Sequence, residues 1–299
     1  MKLLLLGADG QLGYELHRSC APLGQVVPYT YSGRLPGQQR CGQVDFAEPG
    51  AVAAIVAEVK PDIVLNAVAY TAVDKAEDEP ALAQRINADA VAELAAACRQ
   101  ADARLVHYST DYVFGGENTR PWREDDPTAP LGVYGRTKLA GEDAVRGSGC
   151  RHMVFRTAWV YGARGHNFLL TALRLAKERE ELSIVHDQVG SPTPAHWLAA
   201  STALALASRP DLQGTWHVVA AGACSWFQFA TAIYSEALAA RIIENAPRVT
   251  GIPGSEYPSR AKRPAYSCLD TGKFAQDFGL QLPDWRTGLR QVIGEIAEH

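Results

Sequence analysis

The stretch Lys2–Gly13 constrains the fold of this chain more than any other. Leu3–Leu6 is a run of four leucines that ends at a glycine, which is typical of a short strand buried on both faces in a parallel sheet. Gly7, Gly10 and Gly13 then recur at intervals of three. Without β-carbons there, the chain can turn sharply into a helix whose amide groups approach a pyrophosphate. The stretch therefore predicts a dinucleotide site.

With 26 glycines among 299 residues, such a triplet arises by chance in some chains, so the triplet alone is a weak signal. Its position in this chain makes it specific. Here it directly follows an apolar strand and precedes an amphipathic segment. Its spacing differs from the Gly-x-Gly-x-x-Gly of ordinary dehydrogenases. The alternative is a strand, turn and helix without a ligand.

Strand and helix patterns alternate through the first half of the chain. The predicted strands after the first are Val26–Tyr29, Ile63–Val68, Leu105–Thr110 and Val154–Val160, and the predicted helices include Gly50–Val59, Ala81–Gln100 and Tyr134–Arg146. Such alternation predicts an α/β fold with a doubly wound parallel sheet of the Rossmann type. We expect residues 1–162 to form the dinucleotide-binding domain. Residues 163–299 are expected to form mostly a smaller substrate-binding region, with some elements returning to the sheet.

Composition narrows the class of partner. The net charge of −4 and the pI near 6.1 provide no basic face for nucleic acid or an anionic membrane, so we expect small molecules and protein chains as partners. No apolar run approaches the roughly 20 residues that cross a bilayer. The six cysteines form no Cys-x-x-Cys pair, which favours reduced thiols in a cytoplasmic protein.

The residues after the second strand bear on the choice of cofactor. An acid there binds the ribose 2′-hydroxyl of NAD, whereas an arginine accommodates the 2′-phosphate of NADP. The segment from Thr30 to Arg34 contains no acid. The sequence therefore favours NADPH over NADH, although Arg34 could equally be a solvated loop residue.

Tyr134 and Lys138 are four residues apart, so a helix points both side chains the same way. A phenol with a pKa of about 10 is a poor acid–base group at neutral pH. A cation ~4 Å away at an effective dielectric of ~20 contributes about 4 kcal/mol, enough to lower that pKa by about two to three units. Thr110, at the end of the fourth strand, could hold a substrate oxygen while Tyr134 delivers the proton. The alternatives are a surface helix pair and a threonine that satisfies backbone groups.

Six segments spread along the chain together resemble extended short-chain dehydrogenase/reductases. They are GADGQLG at the glycine loop, NAVAYTAVDKAE at 66–77, VHYSTDYVF at 106–114, YGRTKLAGE at 134–142, FRTAWVYG at 155–162 and RPAYSCLDTGKF at 263–274. Within that family they look like the dTDP-4-dehydrorhamnose reductases, over essentially the whole chain. The resemblance implies reduction of the C4 ketone of dTDP-4-dehydro-L-rhamnose by NADPH, with NADH as the alternative cofactor, in the last step of dTDP-L-rhamnose synthesis.

The resemblance also implies roles for individual residues. Tyr134 would be the catalytic acid, and Lys138 would bind the nicotinamide ribose and lower the pKa of Tyr134. Thr110, Asp111 and Trp159 would contact the sugar. Around the cofactor it implies Gly10, Gln11 and Leu12 at the pyrophosphate, Thr30, Asp45, Phe46, Ala69, Tyr70 and Thr71 at the adenosine and ribose, and Tyr108 beside the nicotinamide.

A magnesium ion and a homodimer stay open. Some similar reductases are described as magnesium-dependent, with the ion held by glutamates where two chains meet. Glu15 and Glu295 are candidates here, but the position after Gly-Ser-Pro-Thr where another acid is expected is His196. Because a hard cation prefers oxygen ligands, no metal ligand is predicted.

Two other functions compete with reduction. Nucleotide-sugar 4,6-dehydratases carry an Asp-Glu pair after the threonine, whereas Thr110 is followed here by Asp111 and Tyr112, which disfavours dehydration. The other rival is a non-catalytic NADP-binding regulator that resembles the β subunit of methionine adenosyltransferase. The presence of Thr110, Tyr134 and Lys138 favours an enzyme.

Overall fold

The first half of the chain alternates strands with helices. The structure is a computed structural model that describes residues 1–298. The strands are β1 (Lys2–Leu6), β2 (Gln25–Thr30), β3 (Gly42–Gln43), β4 (Ile63–Asn66), β5 (Arg104–Thr110) and β6 (His152–Thr157). The helices are α1 (Gln11–Ser19), α2 (Ala51–Val59), α3 (Val73–Asp78), α4 (Pro80–Gln84), α5 (Ala90–Gln100) and α6 (Val133–Gly147).

The second half contains shorter strands and more helix. Its strands are β7 (Val160–Tyr161), β8 (Glu181–Val185), β9 (Val189–Gly190), β10 (Thr193–Pro194), β11 (Gly214–His217), β12 (Cys224–Ser225) and β13 (Arg248–Ile252). Its helices are α7 (Phe168–Glu178), α8 (Ala195–Ser208), α9 (Trp226–Ala239), α10 (Gly272–Phe278) and α11 (Trp285–Ala297). None of the helices within residues 1–298 has both the length and the apolar character of a membrane crossing.

A seven-stranded sheet in the order β11–β6–β5–β4–β1–β2–β3 forms the centre of the fold. Every neighbouring pair is parallel. The strand order reverses at β1, which lies between β2 and β4, and open parallel sheets bind ligands beside such a reversal, at the carboxyl ends of the strands. The predicted doubly wound parallel sheet is confirmed.

The leucine run of β1 is buried on both faces of the sheet. Leu3 and Leu5 belong to the apolar layer that contains α1 and α8, while Leu4 and Leu6 belong to the layer that contains α2 and α5. All four side chains are completely buried. Each contributes about 1.5–3 kcal/mol by burial. This explains why the run from Leu3 to Leu6 has no polar position.

Elements from the second half complete the sheet layers. β11 extends the sheet beyond β6, and α8 packs against α1. Leu198 and Leu206 of α8, Trp216 of β11 and Phe274 of α10 lie in the same apolar cluster as Leu3. A separate cluster joins α7, α9 and α11 away from the sheet.

Three predicted elements differ from the observed ones, and the first is the strand Ile63–Val68, which ends at Asn66. The predicted helix Ala81–Gln100 is interrupted by one turn of π-helix, Arg85–Asp89, between α4 and α5. The predicted strand Val154–Val160 ends at Thr157, because Trp159 adopts a left-handed backbone with φ of 46°. The π-helical turn and the left-handed residue both lie beside residues of the candidate site.

Candidate active site

The glycine loop after β1 is shaped by close backbone contacts. Gly7 has φ of +80°, and its N–H donates to the carbonyl of Tyr29 at 2.9 Å. A β-carbon on Gly13 would lie 1.9 Å from the carbonyl oxygen of Gly7, so no larger residue fits there. Gly10 caps α1 without a side-chain hydrogen bond. The first amide groups of α1, including those of Gln11 and Leu12, are therefore free of a side-chain cap and suited to an anion.

The loop after β2 is organised by Thr30. Its side chain is fully buried, and its hydroxyl donates to the carbonyl of Arg34 at 3.2 Å and accepts from the Arg34 N–H at 3.0 Å. The hydroxyl thus shapes the loop rather than facing a ligand. Arg34 itself is exposed and forms no ion pair with any residue in 1–298. The guanidinium of Arg34, which forms no ion pair within residues 1–298, therefore lies in the region where NAD-binding folds carry an acid.

The residues expected around the adenosine lie in different environments. The carboxylate of Asp45 accepts from the Ala47 N–H at 2.8 Å, and the Phe46 ring lies in the apolar layer with α2, 4% exposed. Phe46 can therefore meet a cofactor only through its backbone.

The segment from Ala69 to Thr71 follows β4, and the side chain of Asn87 fixes it. The amide of Asn87 accepts from the Tyr70 N–H at 2.8 Å and donates to the Tyr70 carbonyl at 3.2 Å. Asn87 belongs to the π-helical turn, which no sequence pattern revealed. Such turns often occur at functional sites. A π-turn thus holds the backbone after β4 in place.

The ring of Tyr108 is buried on the α8 side of the sheet. It lies in the apolar layer with α8, and its hydroxyl is 2.9 Å from the Thr202 hydroxyl. Only its backbone carbonyl is turned toward α6, where it accepts from Lys138 Nζ at 2.7 Å. The position of Tyr108 beside the nicotinamide, which the resemblance implies, stays a prediction, and the buried ring leaves its backbone as the part that could meet the cofactor.

Tyr134 and Lys138 lie one turn apart on α6, next to the end of β5. Burial raises the pKa of Tyr134 to about 12, while the Thr110 hydroxyl acts in the opposite direction. Burial lowers the pKa of Lys138 to about 8. Burial outweighs the other influences on the Tyr134 phenol, and the Lys138 amino group is bound to the Tyr108 carbonyl, so the role in lowering the pKa of Tyr134 that the resemblance implies for Lys138 stays a prediction. The phenol is therefore a protonated acid at neutral pH.

Thr110 and Asp111 form a buried pair at the end of β5. The Thr110 hydroxyl donates to Asp111 Oδ1 at 3.0 Å and accepts from the Tyr112 N–H at 3.2 Å. The other carboxylate oxygen of Asp111 is buried without a hydrogen-bond partner among the described residues. Burial raises the pKa of Asp111 to about 6. A carboxyl group with an unused oxygen is suited to a polar ligand.

Trp159 is held in its strained conformation by a second tryptophan. The rings of Trp159 and Trp226 stack with their centroids 3.4 Å apart and an angle of 4° between the planes. Gly190 allows this, because a β-carbon there would lie 2.6 Å from the Trp159 ring. Sequence reasoning did not identify Trp226, which lies at the first position of a distant helix, α9.

A cavity of about 960 Å³ lies beside the tryptophan stack, with Trp226 but none of Thr110, Asp111, Tyr134 or Trp159 in its lining. Its apolar wall includes Phe168, Leu175, Leu182, Ile184 and Trp226. Its polar wall includes Glu117, Asp187, Ser259, Lys262 and Arg263. A cavity with one apolar and one polar wall suits an elongated ligand that carries an aromatic group and an anionic group.

The polar wall of this cavity is fixed by an ion pair that sequence reasoning missed. Asp74 accepts hydrogen bonds from both terminal nitrogens of Arg263 and from the Ser259 hydroxyl. Although burial opposes it, these donors lower the pKa of Asp74 to about 2. Arg263 in turn lies beside Tyr112, whose ring meets the Tyr134 ring edge-on at 5.8 Å. The wall is thereby linked to Tyr134.

The candidate magnesium ligands do not form a metal site within one chain. Burial, together with the charge of Glu295, raises the pKa of Glu15, so the two carboxyl groups are near each other. His196 Nε2 lies 3.2 Å from the side-chain oxygen of Gln291. Residues 1–298 contain no group of three or more histidine, cysteine or acidic side chains arranged to hold a metal. One chain thus brings together two carboxyl groups, and the magnesium ion that the resemblance implies between two chains stays open.

Comparison with known proteins gives a family match over nearly the whole chain. The family model described as RmlD substrate binding domain matches residues 1–298. A dTDP-4-dehydrorhamnose reductase of Escherichia coli strain K12 is 46% identical, with 99% of this chain and 98% of that protein aligned. A dTDP-4-dehydrorhamnose reductase of Burkholderia thailandensis is also 46% identical, with 99% of each chain aligned.

Solved structures match the fold. The crystal structure of a dTDP-4-dehydrorhamnose reductase from Bacillus anthracis in complex with NADP superposes with a TM-score of 0.88 at 35% identity, over 98% of this chain and 99% of that one. A UDP-glucose 4-epimerase from Thermus thermophilus in complex with NAD has a TM-score of 0.80 at 21% identity, over 100% and 99% of the two chains. The second match shows a shared fold alone.

Proposed function

Because the chain belongs to the RmlD substrate binding domain family, we propose that it reduces dTDP-4-dehydrorhamnose with NADPH. It is a nucleotide-sugar oxidoreductase of dTDP-L-rhamnose synthesis. The observation that carries this function is the agreement between two facts. First, a dTDP-4-dehydrorhamnose reductase is 46% identical over 99% of the chain. Second, Thr110 at the end of β5 lies next to helix α6, which carries Tyr134 and Lys138.

The glycine loop fits a dinucleotide. The absence of β-carbons at Gly7 and Gly13 and the uncapped first turn of α1 leave room and amide donors for a pyrophosphate. Gly10, Gln11 and Leu12 would hold it. We infer that the exposed Arg34 binds the 2′-phosphate and thereby favours NADPH over NADH. Bound NADPH supplies the hydride, and the protein supplies alignment and a proton.

Tyr134 supplies that proton. Its raised pKa keeps the phenol protonated at neutral pH, so it can donate to the C4 oxygen as the ketone becomes an alcohol. The resulting phenolate regains a proton from solvent. The Thr110 hydroxyl holds the same oxygen, and Asp111 accepts the hydrogen bond that orients Thr110. Lys138 stabilises the negative charge that Tyr134 carries after the transfer.

The cavity receives the nucleotide sugar. We infer that the aromatic base lies on the apolar wall that contains Trp226 and that the diphosphate lies toward Lys262 and Arg263, because each wall matches the chemistry of one end of the substrate. Trp159 would contact the sugar between them. The tryptophan stack then acts as one rigid surface, since its rings are parallel and in contact.

The magnesium requirement stays open, because the resemblance places the ion between two chains. Treatment with EDTA followed by gel filtration tests it. A loss of activity that Mg²⁺ restores would show the requirement, and an unchanged kcat would exclude it. The same elution profile tests whether the protein is a homodimer, which stays a prediction.

The direct test is NADPH oxidation at 340 nm with dTDP-4-dehydro-L-rhamnose as substrate. Turnover that depends on the sugar nucleotide, with dTDP-L-rhamnose as the product, supports the function. A non-catalytic NADP-binding regulator would bind the cofactor and show no turnover. UDP-glucose with NAD serves as the control, since a 4-epimerase would convert it.

A further inference from the structure

His107 is a buried histidine that contacts Lys138 and that no step of the reaction above uses. It lies on β5, three residues before Thr110, and is completely buried. Its Nε2 atom is 3.4 Å from Lys138 Nζ, and its Nδ1 atom is 3.1 Å from Asn66 Nδ2 on the neighbouring strand β4. The imidazole therefore bridges β4 and α6 behind the catalytic pair.

The hydrogen bonds of Asn66 determine which nitrogen of His107 carries the proton. The Val68 N–H donates to Asn66 Oδ1 at 3.2 Å, so the amide oxygen faces Val68 and the amide NH2 faces His107. Nδ1 must then accept, because two N–H groups facing each other cannot bond. The proton of the neutral ring is thus on Nε2. An imidazolium would place a second donor against Asn66 Nδ2, and burial independently lowers the pKa of His107.

The Nε2–H group of His107 consequently faces Lys138. The amino group of Lys138 already donates to the Tyr108 carbonyl at 2.7 Å. A neutral amine can accept the hydrogen bond from Nε2–H through its lone pair. An ammonium group has no lone pair, and its positive charge faces the positive end of the N–H dipole. The contact therefore favours the amine over the ammonium form.

The remaining charged groups around Lys138 are few. On its own helix, Tyr134 is a neutral phenol at neutral pH, and the negative charge of Glu142 favours the ammonium form. That carboxylate is shared with two arginines, Arg156 of β6 at 2.8 Å and Arg146 at 2.7 Å. β4 contributes the uncharged Asn66, and β5 contributes His107. His107 is thus the one polar group of β4 and β5, within the described chain, that presents a donor to the lysine.

We propose that His107 is a positioning residue whose Nε2–H, fixed by Asn66, controls the charge of Lys138 and thereby the pH at which the active site loses function on the alkaline side. The activity readout of this proposal rests on the proposed reductase function, but the proton position on His107 does not. Below that pH the lysine is an ammonium ion that supports Tyr134. Above it the lysine is an amine bound to His107.

The first experiment measures the proton position directly. Nitrogen-15 NMR of histidine-labelled protein, without cofactor, should show His107 as a neutral ring with a bare Nδ1 and a protonated Nε2 throughout pH 6–9. The resonance is assigned through the protein backbone. An imidazolium at pH 7, or a proton on Nδ1, would overturn the proposal whatever the protein catalyses.

The second experiment compares pH profiles of His107→Gln and wild type. A glutamine can turn its carbonyl oxygen toward Lys138 and stabilise the ammonium form. The upper pKa of kcat/KM should therefore rise by about one unit, which is a tenfold change in the proton dissociation constant. The pH at which NADPH affinity falls, followed by cofactor fluorescence, should rise in parallel, and this readout needs no turnover.

His217→Gln is the matched control, because His217 is also completely buried but lies on β11 beside the Asp270 carbonyl. The upper pKa of kcat/KM in His217→Gln should equal that of wild type, even if this variant is less stable. An upper pKa in folded His107→Gln within about 0.3 unit of wild type would contradict the proposal, as would an equal shift in His217→Gln. If the glutamine variant does not fold, the NMR result on wild type still decides. If wild type shows no turnover, the reductase function fails while the NMR and affinity measurements still test His107.

Discussion

The loop after β1 and the segment after β5 both follow parallel strands of one sheet, yet they are built in opposite ways. The β1 loop is a site made of backbone, where Gly7 and Gly13 leave space and amide groups. The β5 segment is a site made of buried side chains, in which Asp111 and Lys138 have strongly shifted pKa values. We propose that the first site binds its ligand through free space and free amide groups, and that the second reacts because burial disfavours its charged forms.

The difference shows what burial contributes to catalysis. Burial shifts the pKa values of Tyr134 and Lys138 in opposite directions, and in both cases toward the uncharged form. The phenol is kept as an acid, and the lysine is kept close to its titration point. The glycine loop has no equivalent property, because the amide groups of a backbone do not titrate. A change in pH should therefore act on the β5 segment and leave pyrophosphate binding largely unaffected.

The largest effect should come from Tyr134→Phe. Removal of the proton donor should lower kcat about 1,000-fold, or about 4 kcal/mol of transition-state free energy, with NADPH affinity within about twofold of wild type. Stopped-flow NADPH oxidation and fluorescence titration measure the two quantities. Tyr112→Phe is the matched control, since that ring packs on Tyr134. Turnover of Tyr134→Phe at the control's rate would remove Tyr134 from its role.

Asp111→Asn should change the pH dependence of stability. Burial raises the pKa of Asp111 from its ordinary value near 4 to about 6, so the native state binds more protons between those values and wild type loses stability as the pH rises through them. The asparagine removes this loss. Its free energy of unfolding relative to wild type should increase by about 2–3 kcal/mol from pH 4 to pH 7.5.

Urea denaturation at both pH values measures the effect of Asp111→Asn. Asp125→Asn, at an exposed position before helix α6, is the control and should show no such increase. Equal behaviour of the two variants would mean that the β5 segment does not disfavour charge.

Gly13→Ala tests the opposite property of the β1 loop. A methyl group 1.9 Å from the Gly7 carbonyl must displace the loop, so NADPH affinity should fall about 100-fold, or about 2.7 kcal/mol. Gly147→Ala, where no atom lies within 4 Å of the added carbon, should bind NADPH normally. Isothermal titration calorimetry compares them. Normal binding by Gly13→Ala would show that the loop tolerates side chains after all.

Arg34→Gln should have the smallest effect. Loss of the cation at the end of β2 should raise KM for NADPH about tenfold and leave KM for NADH unchanged. Arg40→Gln is the matched control, because Arg40 is exposed and its backbone forms an antiparallel β-bridge with Arg34 across the same turn. An equal change with both cofactors would assign Arg34 to the solvated loop instead of the 2′-phosphate site.

The comparison also explains how much the sequence could predict. The four leucines and the glycine triplet predict the first strand and its loop because both depend on local backbone requirements. The predicted helices Gly50–Val59 and Tyr134–Arg146 match α2 and α6 to within one residue at each end. Short elements such as β3 and α3 were missed, since two to six residues carry no clear period.

Long-range contacts account for the rest. The sequence placed Tyr134 and Lys138 on one helix, but the Tyr108 carbonyl that binds Lys138 depends on the approach of β5. Trp226 reaches Trp159 from a helix far along the chain, and Arg263 reaches Asp74 in the same way. The π-turn that presents Asn87 arises from packing against α6, where a β-carbon on Gly141 would lie 2.2 Å from the Asn87 carbonyl.

The return of α8, β11 and α10 to the sheet has a consequence for how the chain is made. Leu198, Trp216 and Phe274 cover one face of strands that a ribosome synthesises much earlier. Until those late residues emerge, the nascent chain exposes an apolar surface that includes Leu3 and Leu5. Such surfaces bind chaperones and promote aggregation. Truncation before α8 should therefore yield insoluble protein, and folding should be completed only after release from the ribosome.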